Sequence, residues 1–120
     1  MSRRTIQVAE LLSQVVSKII LTELADPRLS GIITITGAEI SSDLHFAKIY
    51  FSVIGGQNDW EITKNVLNKA AGFIQRLVAQ RMVLKTTPKL TFVPDHTVEQ
   101  AQKIEKIMEA VDSKPQFDDE

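Results

Sequence analysis

The lysine and arginine side chains of this 120-residue chain are concentrated in its middle. Between Trp60 and Pro94 there are six cations against one anion, Glu61, whereas residues 95–120 carry eight anions against three cations. Because ammonium and guanidinium groups bind phosphate oxygens, this asymmetry favours a face that binds a polyanion. Charge alone leaves open the alternative of solvated helix faces followed by a solubilising tail. The six cations are Lys64, Lys69, Arg76, Arg81, Lys85 and Lys89.

Gly72 lies inside residues 65–81, a stretch whose other residues favour an amphipathic helix. A glycine within a helix costs about 1 kcal/mol relative to alanine. On a helical wheel it falls outside the apolar stripe, with Lys69 and Arg76 as neighbours on the same side. We therefore expect a bend or break of the helix here, or the close approach of another backbone. Between two cations, that backbone would be a phosphate chain. The stripe that we expect to be buried is Val66, Ala70, Phe73, Ile74 and Leu77.

Arg81 gives a second reason to expect a bend. If residues 61–82 formed one straight helix, Arg81 would fall in the middle of the apolar stripe. A bend at Gly72, or a helix that ends by Arg81, removes this conflict. Trp60, at the start of the same helix, is expected to be a packing anchor more than a platform on which bases stack.

Residues that commonly perform catalysis form no recognisable site in the sequence. His45 and His96 are far apart, and neither has a second metal ligand at a suitable spacing. Asp43 and Asp95 would pair only if the fold brought them together, and the serines match no nucleophile elbow. There is no cysteine, and the Gly55–Gly56 pair fits no nucleotide-binding pattern. We expect no enzymatic activity, metal or cofactor, and a protein-interaction module with an incidental basic surface stays an alternative.

Composition and length limit the classes of protein to which this chain can belong. The 43% apolar and 24% charged composition is typical of a globular domain, and 120 residues suffice to bury one core. No apolar run reaches the ~20 residues of a membrane span. The N-terminal Arg3 and Arg4 are not followed by the apolar region of a signal peptide. We therefore expect a cytoplasmic domain with no membrane partner and no small-molecule substrate.

Hydrophobic periodicity predicts an alternation of helices and strands. The first helix has an inner stripe of Val8, Leu11, Leu12, Val15, Val16, Ile19 and Ile20. Ser41-Ser42-Asp43 predicts a hairpin turn between the first two strands, and Thr97-Val98-Glu99-Gln100 matches a capping box before the last helix. Residues 112–120 are acidic, with little apolar content, and are expected to be disordered. The predicted elements are helix 4–24, strands 32–40 and 46–53, the bent helix 61–82, strand 89–93 and helix 98–111.

The order of these elements predicts the fold class. Three strands with helices on one face make an α+β domain, and Lys48 and Tyr50 lie on the other face, which is at least partly in water. The first six elements match the order of a type II KH (K-homology) domain, in which a Gly-x-x-Gly loop between two helices clamps a nucleic-acid backbone. Here the corresponding position has Ala70-Ala71-Gly72.

With these features, the chain closely resembles the bacterial ribosome-binding factor A family from about Arg3 to Val111. The resemblance depends on the order and spacing of several short segments more than on any one of them. These are Asp26-Pro27-Arg28, the hairpin from Thr34 to Tyr50, Ala71-Gly72-Phe73-Ile74-Gln75-Arg76, Leu84-Lys85, Pro88-Lys89-Leu90-Thr91-Phe92 and Asp95. Thr86-Thr87 stand where apolar residues are common in relatives.

The resemblance implies a function. Members of the family are KH-type proteins in which an Ala-x-Gly kink replaces the Gly-x-x-Gly loop. They bind free 30S subunits and assist late maturation of 16S rRNA, including processing of the precursor's 5′ end, with a role in growth at low temperature. This implies a KH-like ribosome-binding domain over residues 1–111 and an acidic tail over 112–120, with the chain acting as a monomer. The implied RNA-binding residues are Lys69, Ala70, Ala71, Gly72, Arg76, Arg81, Lys85 and Lys89, while contacts from Arg3, Arg4, Arg28 and Lys48 stay open.

Overall fold

The computed structural model describes residues 3–24, 26–27, 29, 31–54 and 60–95. It contains three helices and three strands in the expected order over these ranges. The final helix and the acidic tail, predicted for residues 98–111 and 112–120, lie outside the described residues, as do Arg28 and His96. The elements are α1 (Arg3–Glu23), β1 (Ile32–Ile40), β2 (Phe46–Ile54), α2 (Trp60–Lys69), α3 (Ala71–Arg81) and β3 (Lys89–Pro94).

The three strands form one sheet in the order β1-β2-β3. β1 and β2 are antiparallel, and a bulge between Ile35 and Gly37 shifts their register. β2 and β3 are parallel, so the chain must cross over between them, and α2 and α3 make that crossover. The predicted α+β class with a three-stranded sheet is confirmed.

The helices pack on one face of the sheet. β2 buries Ala47, Ile49, Phe51 and Val53, which alternate with residues of the opposite face, as its sequence predicts. Trp60 stacks on Phe51, with ring centroids 6.0 Å apart and an interplanar angle of 28°. Trp60 is therefore a packing anchor at the start of α2, as expected.

α1 is a core helix with a narrower buried stripe than its sequence suggests. Leu12, Val16 and Ile19 are fully buried, but Leu11, which we expected inside, is 50% exposed. The expectation for Leu11 is wrong because α1 meets the sheet along a line that also buries Thr5 and Ala9. By length and composition alone α1 could cross a membrane, but a core helix passes the same test.

The turn between β1 and β2 is closed by side chains of the predicted Ser41-Ser42-Asp43 segment. Asp43 Oδ1 accepts hydrogen bonds from the Ser41 hydroxyl (2.6 Å) and from the His45 backbone N–H (3.0 Å). These bonds hold the pKa of Asp43 below its usual value, the Ser41 hydroxyl contributing most. Leu44 has a φ of 63°, a left-handed conformation that glycine or asparagine usually adopts. The side chain of Leu44 packs against the hydrophobic core.

Candidate nucleic-acid interface

The helix that crosses over from β2 to β3 breaks at Ala70. α2 ends at Lys69 and α3 begins at Ala71, while Ala70 has φ −84° and ψ −1°, at the edge of the helical region. The Ala70 N–H still donates to the Val66 carbonyl (3.0 Å), and the Ala70 carbonyl accepts the Ile74 N–H (2.9 Å). The predicted break is confirmed within Ala70-Ala71-Gly72, but it lies at Ala70, and Gly72 is the second residue of α3.

The buried side of α3 continues the buried side of α2, since Leu67, Ala71 and Ile74 keep helical spacing across Ala70. Ala71, Ile74 and Val78 are buried, whereas Phe73, which the straight-helix stripe placed inside, is 38% exposed. The expectation for Phe73 is wrong because the buried stripe is centred on Leu67, Ala71 and Ile74, and Phe73 lies outside it on the same wheel. Ala71 is only 9% exposed, so its methyl group belongs to the core and only its backbone faces the junction.

Neither the backbone nor the packing requires glycine at position 72. Its φ lies outside the left-handed region, and the residue is exposed. A Cβ atom there would approach no other residue closer than 4.0 Å, the distance to Nη1 of Arg76. The surface at Gly72 is therefore open, and the guanidinium group of Arg76 lies beside it.

The first turn of α3 presents free hydrogen-bond donors. The first intrahelical bond of α3 starts at the Ile74 N–H, so the N–H groups of Ala71, Gly72 and Phe73 have no acceptor within α3. Ala70 provides no side-chain cap, and no acidic residue lies in the first turn. The positive end of the helix dipole adds to these donors, and such an end binds phosphate or carboxylate groups. The junction therefore has the chemistry of an anion site with a cation on each side, Lys69 and Arg76.

Two side-chain amides fix the junction against β3, one of the two edge strands of the sheet. Asn68 Oδ1 accepts the Phe92 N–H (2.9 Å), and Asn68 Nδ2 donates to the Phe92 carbonyl (3.1 Å). Gln75 Oε1 accepts the Leu90 N–H (3.1 Å). Asn68 precedes the break and Gln75 follows it, so these bonds hold both sides of the junction in place.

The remaining predicted cations lie apart from the junction. Arg81 is at the other end of α3, about 15 Å along the helix axis from Ala71, and its Nη2 is 3.4 Å from Oε2 of Glu23. Lys85 is exposed in the segment that follows α3, and Lys89 is exposed at the start of β3. Within the described part of the chain, Lys69, Arg76, Lys85 and Lys89 form no ion pair, so Arg81 alone among the predicted contacts is partly neutralised.

Sequence reasoning missed Asn68, Gln75 and Phe73. Phe73 is 38% exposed beside Gly72, and a wheel centred on Leu67, Ala71 and Ile74 would have placed it outside the buried stripe. The amides of Asn68 and Gln75 have no signal in the sequence, since their partners are 24 and 15 residues away.

The described residues contain no candidate metal-binding cluster. Residues 3–24, 26–27, 29, 31–54 and 60–95 contain no group of three histidine, aspartate or glutamate side chains that could hold a metal ion. Asp43 and Asp95 lie at opposite ends of the parallel pair of strands, at the turn before β2 and just after β3. The fold therefore does not bring Asp43 and Asp95 together as a carboxylate pair.

Comparisons with known proteins agree with this architecture. The family model of ribosome-binding factor A matches residues 4–108. The chain is 40% identical over 119 residues to ribosome-binding factor A of Coxiella burnetii strain Dugway 5J108-111, covering 99% of this chain and 98% of the relative.

Solved structures show the same fold. The solution NMR structure of a Thermotoga maritima protein is similar with a TM-score of 0.69 and 27% identity, covering 82% of this chain and 93% of that one. A Thermus thermophilus ribosome-binding factor A homology model, fitted into a cryo-EM map of a 30S complex, is similar with a TM-score of 0.64 and 22% identity, covering 76% and 94%. The family model matches most of the chain, and the Coxiella burnetii relative is 40% identical over nearly its full length. The chain therefore belongs to the ribosome-binding factor A family.

Proposed function

We propose that this protein binds the 30S ribosomal subunit by contacting the 16S rRNA backbone at the α2–α3 junction. The observation that carries the proposal is the open N-terminal turn of α3, where Gly72 leaves backbone N–H groups uncovered and Arg76 lies beside them. The Thermus thermophilus relative is described in complex with the 30S subunit, which supports the same partner here. Bound in this way, the protein would assist late maturation and 5′-end processing of the 16S precursor, with a role in growth at low temperature.

The chemistry of the junction favours recognition of backbone shape over base sequence. Free N–H groups and a guanidinium bind phosphate oxygens, which carry no sequence information. Each phosphate that the protein neutralises releases counterions, so a plot of log affinity against log salt falls with a slope of about −0.7 per contact on a single strand. Lys69 and Arg76 would contribute the first two contacts, and Lys85 and Lys89 would extend the surface.

Co-sedimentation of the full chain with purified 30S subunits at two salt concentrations tests the proposal. Arg76→Glu places a carboxylate beside the free N–H groups, so we expect at least tenfold weaker binding and a shallower salt dependence. The matched control is Lys18→Glu, a charge reversal on the exposed side of α1, which should leave binding within about twofold. Wild-type protein that fails to co-sediment at low salt would contradict the proposal, and salt-independent binding would indicate a protein-interaction module instead.

We further propose that the protein acts in the cytoplasm as a monomer and without catalysis. The family name describes binding, and the junction offers hydrogen-bond donors for an anion. The KH-like unit would extend through residue 111, with residues 112–120 dispensable for folding. A chain truncated after residue 111 should keep its melting temperature and its subunit binding.

A further inference from the structure

The face of the sheet opposite the helices has an exposed aromatic ring at the end nearest the hairpin turn. Phe46, the first residue of β2, is 58% exposed. Lys48, two residues later and about 6.7 Å along the strand, points to the same side, and Ala47 between them is buried towards the helices. Farther along this face Tyr50 is half-buried and Ser52 is buried, so the accessible part is the hairpin end.

The neighbouring strand adds a second cation beside the ring. Phe46 is directly opposite Lys89, and Lys48 is opposite Thr91. Adjacent strands are about 4.8 Å apart, and Lys89 shares this face because Leu90 next to it is buried on the other. Two exposed ammonium groups therefore flank Phe46, and an open cleft of about 510 Å³ borders Phe46, Lys48 and Thr91, with Glu39 of β1 on its other side.

The backbone that carries Phe46 is held on both sides. Its N–H donates to the Ser41 hydroxyl (3.1 Å), and its carbonyl accepts the Ser41 N–H (2.9 Å). On the β3 side, the Lys89 N–H donates to the His45 carbonyl (2.8 Å). The ring is thus presented on a fixed frame, which limits the entropy lost when a ligand binds to it.

The carboxylates of this face lie on the side away from Lys89 or at its far end. Glu39, on β1 opposite Lys48, accepts the Tyr50 hydroxyl (2.6 Å). Asp95 accepts the Thr36 hydroxyl (2.7 Å) beyond the end of β3. Glu39 keeps its negative charge and offsets that of Lys48, whereas Lys89, on the β3 side of Phe46, forms no ion pair among the described residues.

From this arrangement we propose that the hairpin end of the sheet is a second RNA contact, where an unpaired base stacks on Phe46 and its flanking phosphates bind Lys48 and Lys89. The inference deepens the proposed function and rests on it, since it names a second site on the same class of ligand. Aromatic side chains on open sheets stack single-stranded bases, and lysines beside them neutralise the backbone. At the opposite end of this face, Ile32 of β1 is paired with Ile54 of β2. Both residues of that pair are apolar, so that end lacks the cation that a phosphate would need.

Binding of the full chain to a fluorescein-labelled, unstructured ten-nucleotide RNA, followed by anisotropy, tests this assignment. Phe46→Ala should weaken single-strand binding about tenfold, while Phe46→Trp should retain it. Ile54→Ala is the matched control, an exposed apolar residue on the same face of the same strand, and should leave binding unchanged. A ten-base-pair RNA duplex, which has no free base to stack, should bind Phe46→Ala and wild type equally. Since Phe46 is exposed, the melting temperature of Phe46→Ala should stay within a few degrees of wild type.

The two RNA proposals fail in different ways. If Phe46→Ala binds the single strand as wild type does while Arg76→Glu binds it weakly, the sheet contact is overturned and the junction stands. If Phe46→Ala loses 30S binding but keeps its affinity for the oligonucleotide, the face contacts a ribosomal protein, which also overturns the sheet proposal. If wild type binds neither the oligonucleotide nor the 30S subunit, the proposed function itself is overturned.

Discussion

The hairpin turn has a leucine where the backbone favours glycine, whereas the α2–α3 junction has a glycine where the backbone accepts any residue. Leu44 has a φ of 63°, a conformation that costs a residue with a Cβ about 1–2 kcal/mol. Its side chain packs against the core, which offsets that strain. Gly72 is helical and has no neighbour that a Cβ would meet closer than 4.0 Å. The fold explains the leucine, whereas no contact among the described residues requires the glycine, which the proposed RNA contact would explain.

The largest expected effect comes from Gly72→Val, which adds a branched side chain over the free N–H groups of α3. We expect binding to the 30S subunit to weaken at least tenfold, about 1.4 kcal/mol, because the phosphate backbone can no longer approach. The free energy of unfolding should change little, since valine is no worse than glycine in a helix and the site is open. Co-sedimentation and thermal unfolding measure the two effects. Ala79→Val, at an exposed position of the same helix, is the control. If Gly72→Val loses stability but keeps its binding, glycine is required at position 72 for structure alone.

A smaller effect is expected at Leu44, where two substitutions separate strain from packing. Leu44→Ala removes the core contact but keeps a Cβ in the left-handed conformation, whereas Leu44→Gly removes the contact and the strain together. Both variants should be less stable than wild type, and the glycine variant should be about 1 kcal/mol more stable than the alanine variant. Urea unfolding gives both values. Equal stabilities would show that the hairpin does not strain residue 44.

The smallest effect concerns the acid stability of the same turn. The pKa of Asp43 is lowered first by the Ser41 hydroxyl and then by the His45 N–H, so its folded pKa lies below the unfolded value of 3.8. A carboxyl group of this kind stabilises the fold above the unfolded pKa, and the contribution is lost as the pH falls through the folded pKa. Ser41→Ala should therefore reduce the loss of melting temperature between pH 4 and pH 2, and Ser42→Ala should not. Identical pH profiles for the three proteins would contradict this assignment.

The comparison also shows which parts of the molecule the sequence could predict. Alternation along β2 and the turn chemistry of Ser41 to Asp43 are local, so the strands, their inner faces and the hairpin are confirmed. The stripe of α3 is different, because apolar residues lie on more than one side of this helix, and only its packing decides that Ala71 and Val78 are buried while Phe73 is exposed. The ion pair between Arg81 and Glu23 joins residues 58 positions apart, and the φ of Leu44 runs against the preference of its type.

The site residues divide in the same way. Gly72 and Arg76 were expected to be neighbours from helical spacing, and the structure places the Arg76 guanidinium beside Gly72. Lys89 could not be placed by spacing, because its face depends on the pairing of β3 with β2. Contact of these residues with RNA stays a prediction that the variants above are designed to test.

The amides of Asn68 and Gln75 have a consequence for how this protein behaves in a crowded solution. An edge strand with free N–H and carbonyl groups is a template on which another chain can add a strand, and this is a route to aggregation. At β3 the outward N–H of Leu90 and both outward groups of Phe92 are already bound by side chains of the helices. The strand is therefore closed to intermolecular pairing along that edge, although it is the outermost strand of its sheet. The contacts that hold the α2–α3 junction in position thereby also protect the protein from self-association through β3.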